Sequence, residues 1–132
     1  MTGRHLGMPQ EKRFEPIAPA TEALASQVLE AAFRVHRALG PGLLESVYEA
    51  CMCHELHKMG VPFQRQVDLP VDYDGVRLDG GMRLDLWVGK EIVVEVKAVE
   101  DVKPVHRAQL LTYLRLAGCR LGLLANFNVA RL

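Results

Sequence analysis

The stretch that decides the fold is RLDLWVGKEIVVEVKAVE, residues 83–100. It reads as a strand, a tight turn at Gly89-Lys90, and a second strand so apolar that it should be buried. Alternation puts Val93, Glu95 and Lys97 on one face of the second strand and Ile92, Val94 and Val96 on the other. In the first strand Arg83, Asp85 and Trp87 oppose Leu84, Leu86 and Val88. A two-residue loop would set Leu84 across from Glu95 and Asp85 across from Val94, mixing apolar with charged on both faces. A three-residue loop, Gly89 to Glu91, pairs Leu84, Leu86 and Val88 with Val96, Val94 and Ile92. One face is then wholly aliphatic, and Asp85 lies directly opposite Glu95. The hydrophobic pattern selects this register, although glycine in first place is not the usual chemistry of a three-residue turn.

Two opposed carboxylates repel, so the arrangement needs a cation. Lys97 supplies one charge. A divalent metal would supply two and would use the carboxylate oxygens as hard ligands, as magnesium and manganese prefer. The competing reading is an Asp–Lys–Glu ladder on a wet sheet face, contributing roughly 0–1 kcal/mol per pair.

Upstream, Leu24, Val28, Ala31, Val35 and Leu39 recur at helical spacing, with Thr21 placed as an N-cap. The Gly40-Pro41-Gly42 run ends that helix. A second helix is expected from about Leu43 to Met59, closed by Gly60. FQRQVDLPVDYDGVRLDGG, residues 63–81, should give a strand and a loop or hairpin around Asp74-Gly75. Downstream, Pro104 suits the first turn of a third helix carrying Leu110, Leu111 and Leu114 and stopping at Gly118. LGLLANF, residues 121–127, reads as a final buried strand. The order is helix, helix, three strands, helix, strand: an α/β sandwich.

The chain has 132 residues, 49% of them apolar, which is enough for one domain with a real core. Residues 1–20 read as a flexible polar and proline-rich lead and residues 21–132 as the domain. The lead lacks the apolar run of a signal peptide, and no stretch is long enough to cross a bilayer. The formal net charge is zero, so no global pull toward nucleic acid or anionic lipid exists, and polyanion binding must come from a local arrangement. Three cysteines in no disulfide-rich pattern point to a reducing cytoplasm.

Asp85 followed ten residues later by Glu95-Val96-Lys97 in a buried strand resembles the D…ExK signature of the PD-(D/E)XK nuclease superfamily. GLLESVYEA, with Gly42, Glu45 and Tyr48, resembles the Gly-x-x-Glu-x-x-Tyr motif that names a small bacterial branch, the GxxExxY proteins. The resemblance runs from about Ala23 to Leu132. It implies a restriction-endonuclease-like core in an α/β/α sandwich, with the three strands as an antiparallel meander.

The resemblance also assigns roles. Asp85 and Glu95, with the Val96 carbonyl, would hold Mg²⁺ or Mn²⁺, and Glu45 would approach as a further ligand, direct or through water. Lys97 would orient or help deprotonate the attacking water. His106, Gln109 and Tyr113 share one face of the third helix. Gln109 and Tyr113 resemble a motif of RecB-like exonucleases, which makes this face a candidate for substrate positioning. Together these imply metal-assisted phosphodiester hydrolysis of nucleic acid, with DNA the expected substrate. The alternative is a catalytically silent nucleic-acid-binding or assembly module that kept the fold. The bare core leaves room for a homodimer or a protein partner.

Two other groups compete for attention. Cys51, Cys53, His54 and His57 are soft donors suited to zinc, but four tetrahedral ligands from two helical turns would require the helix to break. The cysteines are expected to be reduced, uncoordinated apolar fillers. His36 is left outside the metal shell, and Tyr48 and Glu49 stand beside Glu45 as supporting or packing residues.

Overall fold

The computed structural model describes residues 16–132. Most of the expected lead therefore lies outside the described residues. Helix α1 spans Pro19–Leu39, starting three residues before the Glu22 that a Thr21 cap would imply. Proline fits the first helical turn, where its missing N–H costs nothing, so the helix starts there and not after Thr21. Thr21, expected as the cap, lies inside the first turn and donates its hydroxyl to the Glu91 carboxylate instead. Helix α2 spans Glu45–Lys58 and α3 spans Pro104–Ala117, ending at Gly118.

The strands are β1 (Phe63–Asp68), β2 (Val71–Tyr73), β3 (Val76–Leu78), β4 (Arg83–Val88), β5 (Ile92–Lys97) and β6 (Leu121–Asn126). They form a four-stranded sheet in the order β1-β4-β5-β6 and a separate ribbon, β2-β3. β1, β4 and β5 make the expected antiparallel meander, and β6 returns parallel to β5 through α3. Helices α1 and α2 cover one face, burying Val28, Ala31, Val35, Met52 and Leu56 against Leu86, Val88, Ile92, Val94 and Val96. On the other face Leu110, Tyr113 and Leu114 of α3 pack on Leu84, Val93 and Trp87. The result is an α/β/α sandwich.

The β4–β5 register pairs Leu86 with Val94 and Val88 with Ile92, as the aliphatic pattern requires. The turn explains the early glycine. Gly89 and Lys90 both take positive φ, 58° and 57°, and the Glu91 N–H closes on the Val88 carbonyl at 2.9 Å. Glu91 is then the extra residue before the ladder begins. A side chain at Gly89 would also strike Leu24 of α1, 2.8 Å from the Cβ position.

Two expectations are corrected. Leu84 does not join Leu86 and Val88 but clusters with Val93 and the α3 side chains, because strict alternation breaks at Asp85. β6 is half-buried throughout, since it is the sheet's edge and only Phe127 beyond it is fully enclosed.

Candidate active site

The break at Asp85 is a split in the ladder. Backbone pairing between β4 and β5 runs from Val88↔Ile92 to Leu86↔Val94, and the next pair in that register is Asp85 opposite Glu95. There the carboxylates replace the ladder. Glu95 Oε2 accepts the Asp85 N–H at 3.0 Å, and Asp85 Oδ2 accepts the Val96 N–H at 2.8 Å. Each acid is thus held by the other's strand through one oxygen, which satisfies two donors that the ladder gives up.

Burial disfavours the charged form of both groups. Glu95 is only 5% exposed. Desolvation raises its pKa to about 7. The Asp85 N–H and Lys97 work against that rise, while the negative charges of Asp85 and Glu49 add to it. Asp85 is also raised, first by desolvation and then by Glu49, against the Val96 N–H, Lys97 and Gln66. A buried and a half-buried acid with raised pKa values and only partial compensation make this a candidate functional cluster.

The other side of Asp85 holds a residue the sequence does not flag. Gln66 occupies the gap in the β1–β4 register, between Arg65↔Leu86 and Val67↔Leu84. Its φ is 54°, a left-handed value uncommon for a residue with a side chain. From there its amide nitrogen reaches Glu49 at 2.8 and 3.0 Å and Asp85 Oδ1 at 3.4 Å. Glu49, buried on α2, also receives the Arg65 guanidinium at 2.6 Å. A third carboxylate, ion-paired with Arg65, therefore stands beside the pair.

Glu45 reaches the same end of the sheet from the first residue of α2. The loop before it turns through Gly42 at φ 105°, which a side chain would resist. Tyr48 fastens that loop. Its fully buried hydroxyl donates to the Gly40 carbonyl at 2.5 Å and accepts from the Leu43 N–H at 3.1 Å, while its ring stacks on Phe127 at 4.6 Å. So held, Glu45 Oε2 accepts the Ala98 N–H at 2.8 Å, just past Lys97 at the exit of β5. Asn126 steadies the following segment through two 3.0 Å bonds to the Val99 backbone.

The face of α3 divides. Tyr113 packs beside Val93, and its phenol is raised by burial and then by the charges of Glu95 and Asp85, so it belongs to the acid cluster. Gln109 is exposed one turn away. His106 is engaged at the helix start, where Nδ1 accepts the Lys103 N–H at 3.0 Å.

Among the described residues no three His, Cys, Asp or Glu side chains converge as a ready metal cage. α2 is continuous through Cys51, Cys53, His54 and His57, both histidines are exposed, and all three cysteines are free. His36 is structural: Nε2 lies 2.7 Å from the Val129 carbonyl and ties α1 to the segment after β6. No described helix is long and apolar enough to cross a membrane.

The family model of the PD-(D/E)XK nuclease superfamily matches residues 22–132. No curated protein and no solved structure matches the chain.

Proposed function

We propose that this chain, which belongs to the PD-(D/E)XK nuclease superfamily, is a divalent-metal-dependent nuclease that hydrolyses phosphodiester bonds of nucleic acid, DNA first among them. The observation that carries the reading is the crossed carboxylate pair. Asp85 and Glu95 each spend one oxygen on a backbone N–H, which leaves Glu95 Oε1 and, beside the long 3.4 Å Gln66 contact, Asp85 Oδ1 for a ligand, in a largely buried place where two negative charges need a cation.

The donor set fits Mg²⁺ or Mn²⁺. Such ions are held by one or two carboxylates and keep several waters, so a three-residue cage is not required. In this reading Asp85, Glu95 and the Val96 carbonyl hold the ion, with Glu45 as a further ligand, direct or through water. When bound, the metal supplies Lewis-acid polarisation of the phosphoryl oxygen and a bound water of lowered pKa. Lys97 then orients the attacking water and offsets charge on the phosphate. Tyr113 and the exposed Gln109 position the strand, and His106 acts on them through the start of α3. The Gly42–Glu45–Tyr48 spacing supports placing the chain in the GxxExxY branch. Glu49 and Gln66 set the orientation of Asp85.

The test is cleavage of single- and double-stranded DNA and RNA with Mg²⁺ or Mn²⁺. The wild type should cut, chelator should stop it, and Asp85→Asn should reduce the rate by orders of magnitude. Metal binding with no cleavage of any nucleic acid would instead favour the silent binding module.

A further inference from the structure

The β2–β3 ribbon has no role in the acid site, yet its pattern is strict. Val71 pairs with Leu78 and Tyr73 with Val76, so four apolar side chains share one face, while Asp72 and Arg77 pair on the other. Such a face belongs in a core. Here Tyr73 is 71% exposed, Val76 55% and Leu78 49%. The ribbon continues the β1–β4 pair past the sheet, closed at its neck by the Leu69 N–H on the Met82 carbonyl at 3.0 Å. It is an arm, inserted between β1 and β4 beyond the end of the sheet that carries Asp85 and on its β1 side. An isolated two-stranded ribbon is marginal in water, so an exposed apolar face on one implies a partner surface.

The arm's charge narrows the partner. Asp72, Asp74 and Asp79 outnumber Arg77. Phosphate backbones and anionic lipid are repelled by such a rim. The complementary surface exists on this same chain. At the β6 edge a groove of about 210 Å³ is lined by Leu29, Phe33, Leu123 and Leu132. It continues past Phe33 and Leu132 to Arg37 and Arg131, both exposed. Arg37 lies in the last turn of α1 and Arg131 follows β6, and Asn126 at the end of β6 pairs with Lys97, so the groove's arginine rim and the arm lie at the same end of the sheet and at opposite edges. A two-fold axis normal to the sheet, placed beyond that end, turns each copy's β1 edge toward the other's β6 edge. Both arms then meet both grooves.

We propose that the β2–β3 arm is a dimerisation element, each copy laying its Val71, Tyr73, Val76 and Leu78 face into the arginine-rimmed groove of a second copy. The contact is isologous and made twice, which is how two small patches approach the roughly 1,200 Å² of a specific interface. The two Asp85–Glu95 sites face each other across it.

Sedimentation velocity of the full chain at tens of micromolar tests this without reference to catalysis. The wild type should run at twice the chain mass. Tyr73→Asp with Val76→Asp should run as a folded monomer. Arg37→Glu with Arg131→Glu should weaken the dimer roughly tenfold or more. Adding Asp74→Lys with Asp79→Lys, at the two ends of the ribbon, to that chain should restore it, and this charge swap decides the matter even if the arm double variant fails to fold. A monomeric wild type, or a dimer unchanged by both sets of substitutions, would overturn the proposal. So would a monomer whose nucleic-acid binding disappears with the arm substitutions, which would give the arm to nucleic acid.

Discussion

Replacing Glu95 with glutamine should make the metal-free protein more stable, and increasingly so as pH rises from 5 to 8. In the folded chain the Glu95 pKa lies at about 7, against a usual value of 4.5. A carboxyl whose folded pKa is raised contributes stability that is fully present below its unfolded pKa and is lost as pH rises through the folded one. At pH 5 the buried acid is mostly protonated, and glutamine resembles it in shape and charge. At pH 8 the wild type must keep a buried carboxylate ionised beside Asp85, and a shift of this size corresponds to about 3 kcal/mol. Asp85 is raised by the same burial, so the transition belongs to the pair and spreads over the interval. The stability difference between variant and wild type should therefore grow from about 1 kcal/mol at pH 5 to about 3 kcal/mol at pH 8, or on the order of 10 °C in melting temperature at the upper end for a domain of this size. Chemical denaturation in chelator across that range measures it. A difference independent of pH, or a variant less stable than the wild type at pH 8, would refute the electrostatic account of the pair.

Other consequences follow from single contacts. Tyr48→Phe removes the donor to the Gly40 carbonyl and the acceptor of the Leu43 N–H, and should cost about 1–2 kcal/mol by urea denaturation while loosening the loop that presents Glu45. Lys97→Ala removes a cation but no ligand. Calorimetry should show Mn²⁺ binding retained or tightened, while the nuclease assay shows cleavage reduced by orders of magnitude. Elemental analysis of protein prepared without added metal should find no stoichiometric zinc, because the unbroken α2 keeps Cys51, Cys53, His54 and His57 from converging.

The hairpin was legible because only one register gives an aliphatic face, and that register carries Asp85 opposite Glu95 as a by-product. The helices were legible from periodicity and from their Pro and Gly boundaries. What escaped depends on conformations that residue type does not announce. Gln66 looks like any polar strand residue, and nothing in its neighbours reveals the positive φ that turns its amide toward Glu49 and Asp85. Leu84 looks like the third member of an aliphatic face, yet the split ladder sends it to the opposite side. Tyr48 was visible as a motif residue, but its hydroxyl bonds to the preceding loop require the fold. LGLLANF reads as core from hydrophobicity alone, yet topology leaves it at the sheet edge.

The central claim is that Asp85 and Glu95 make a divalent-metal site in the folded protein, and a Mn²⁺ titration followed by thermal unfolding tests it most directly. Wild type should gain stability by mass action, about 2.7 kcal/mol at a hundredfold excess over Kd, and Asp85→Asn should gain none. A wild-type melting temperature that stays constant through millimolar Mn²⁺, or an equal rise in the Asp85→Asn variant, would contradict the account.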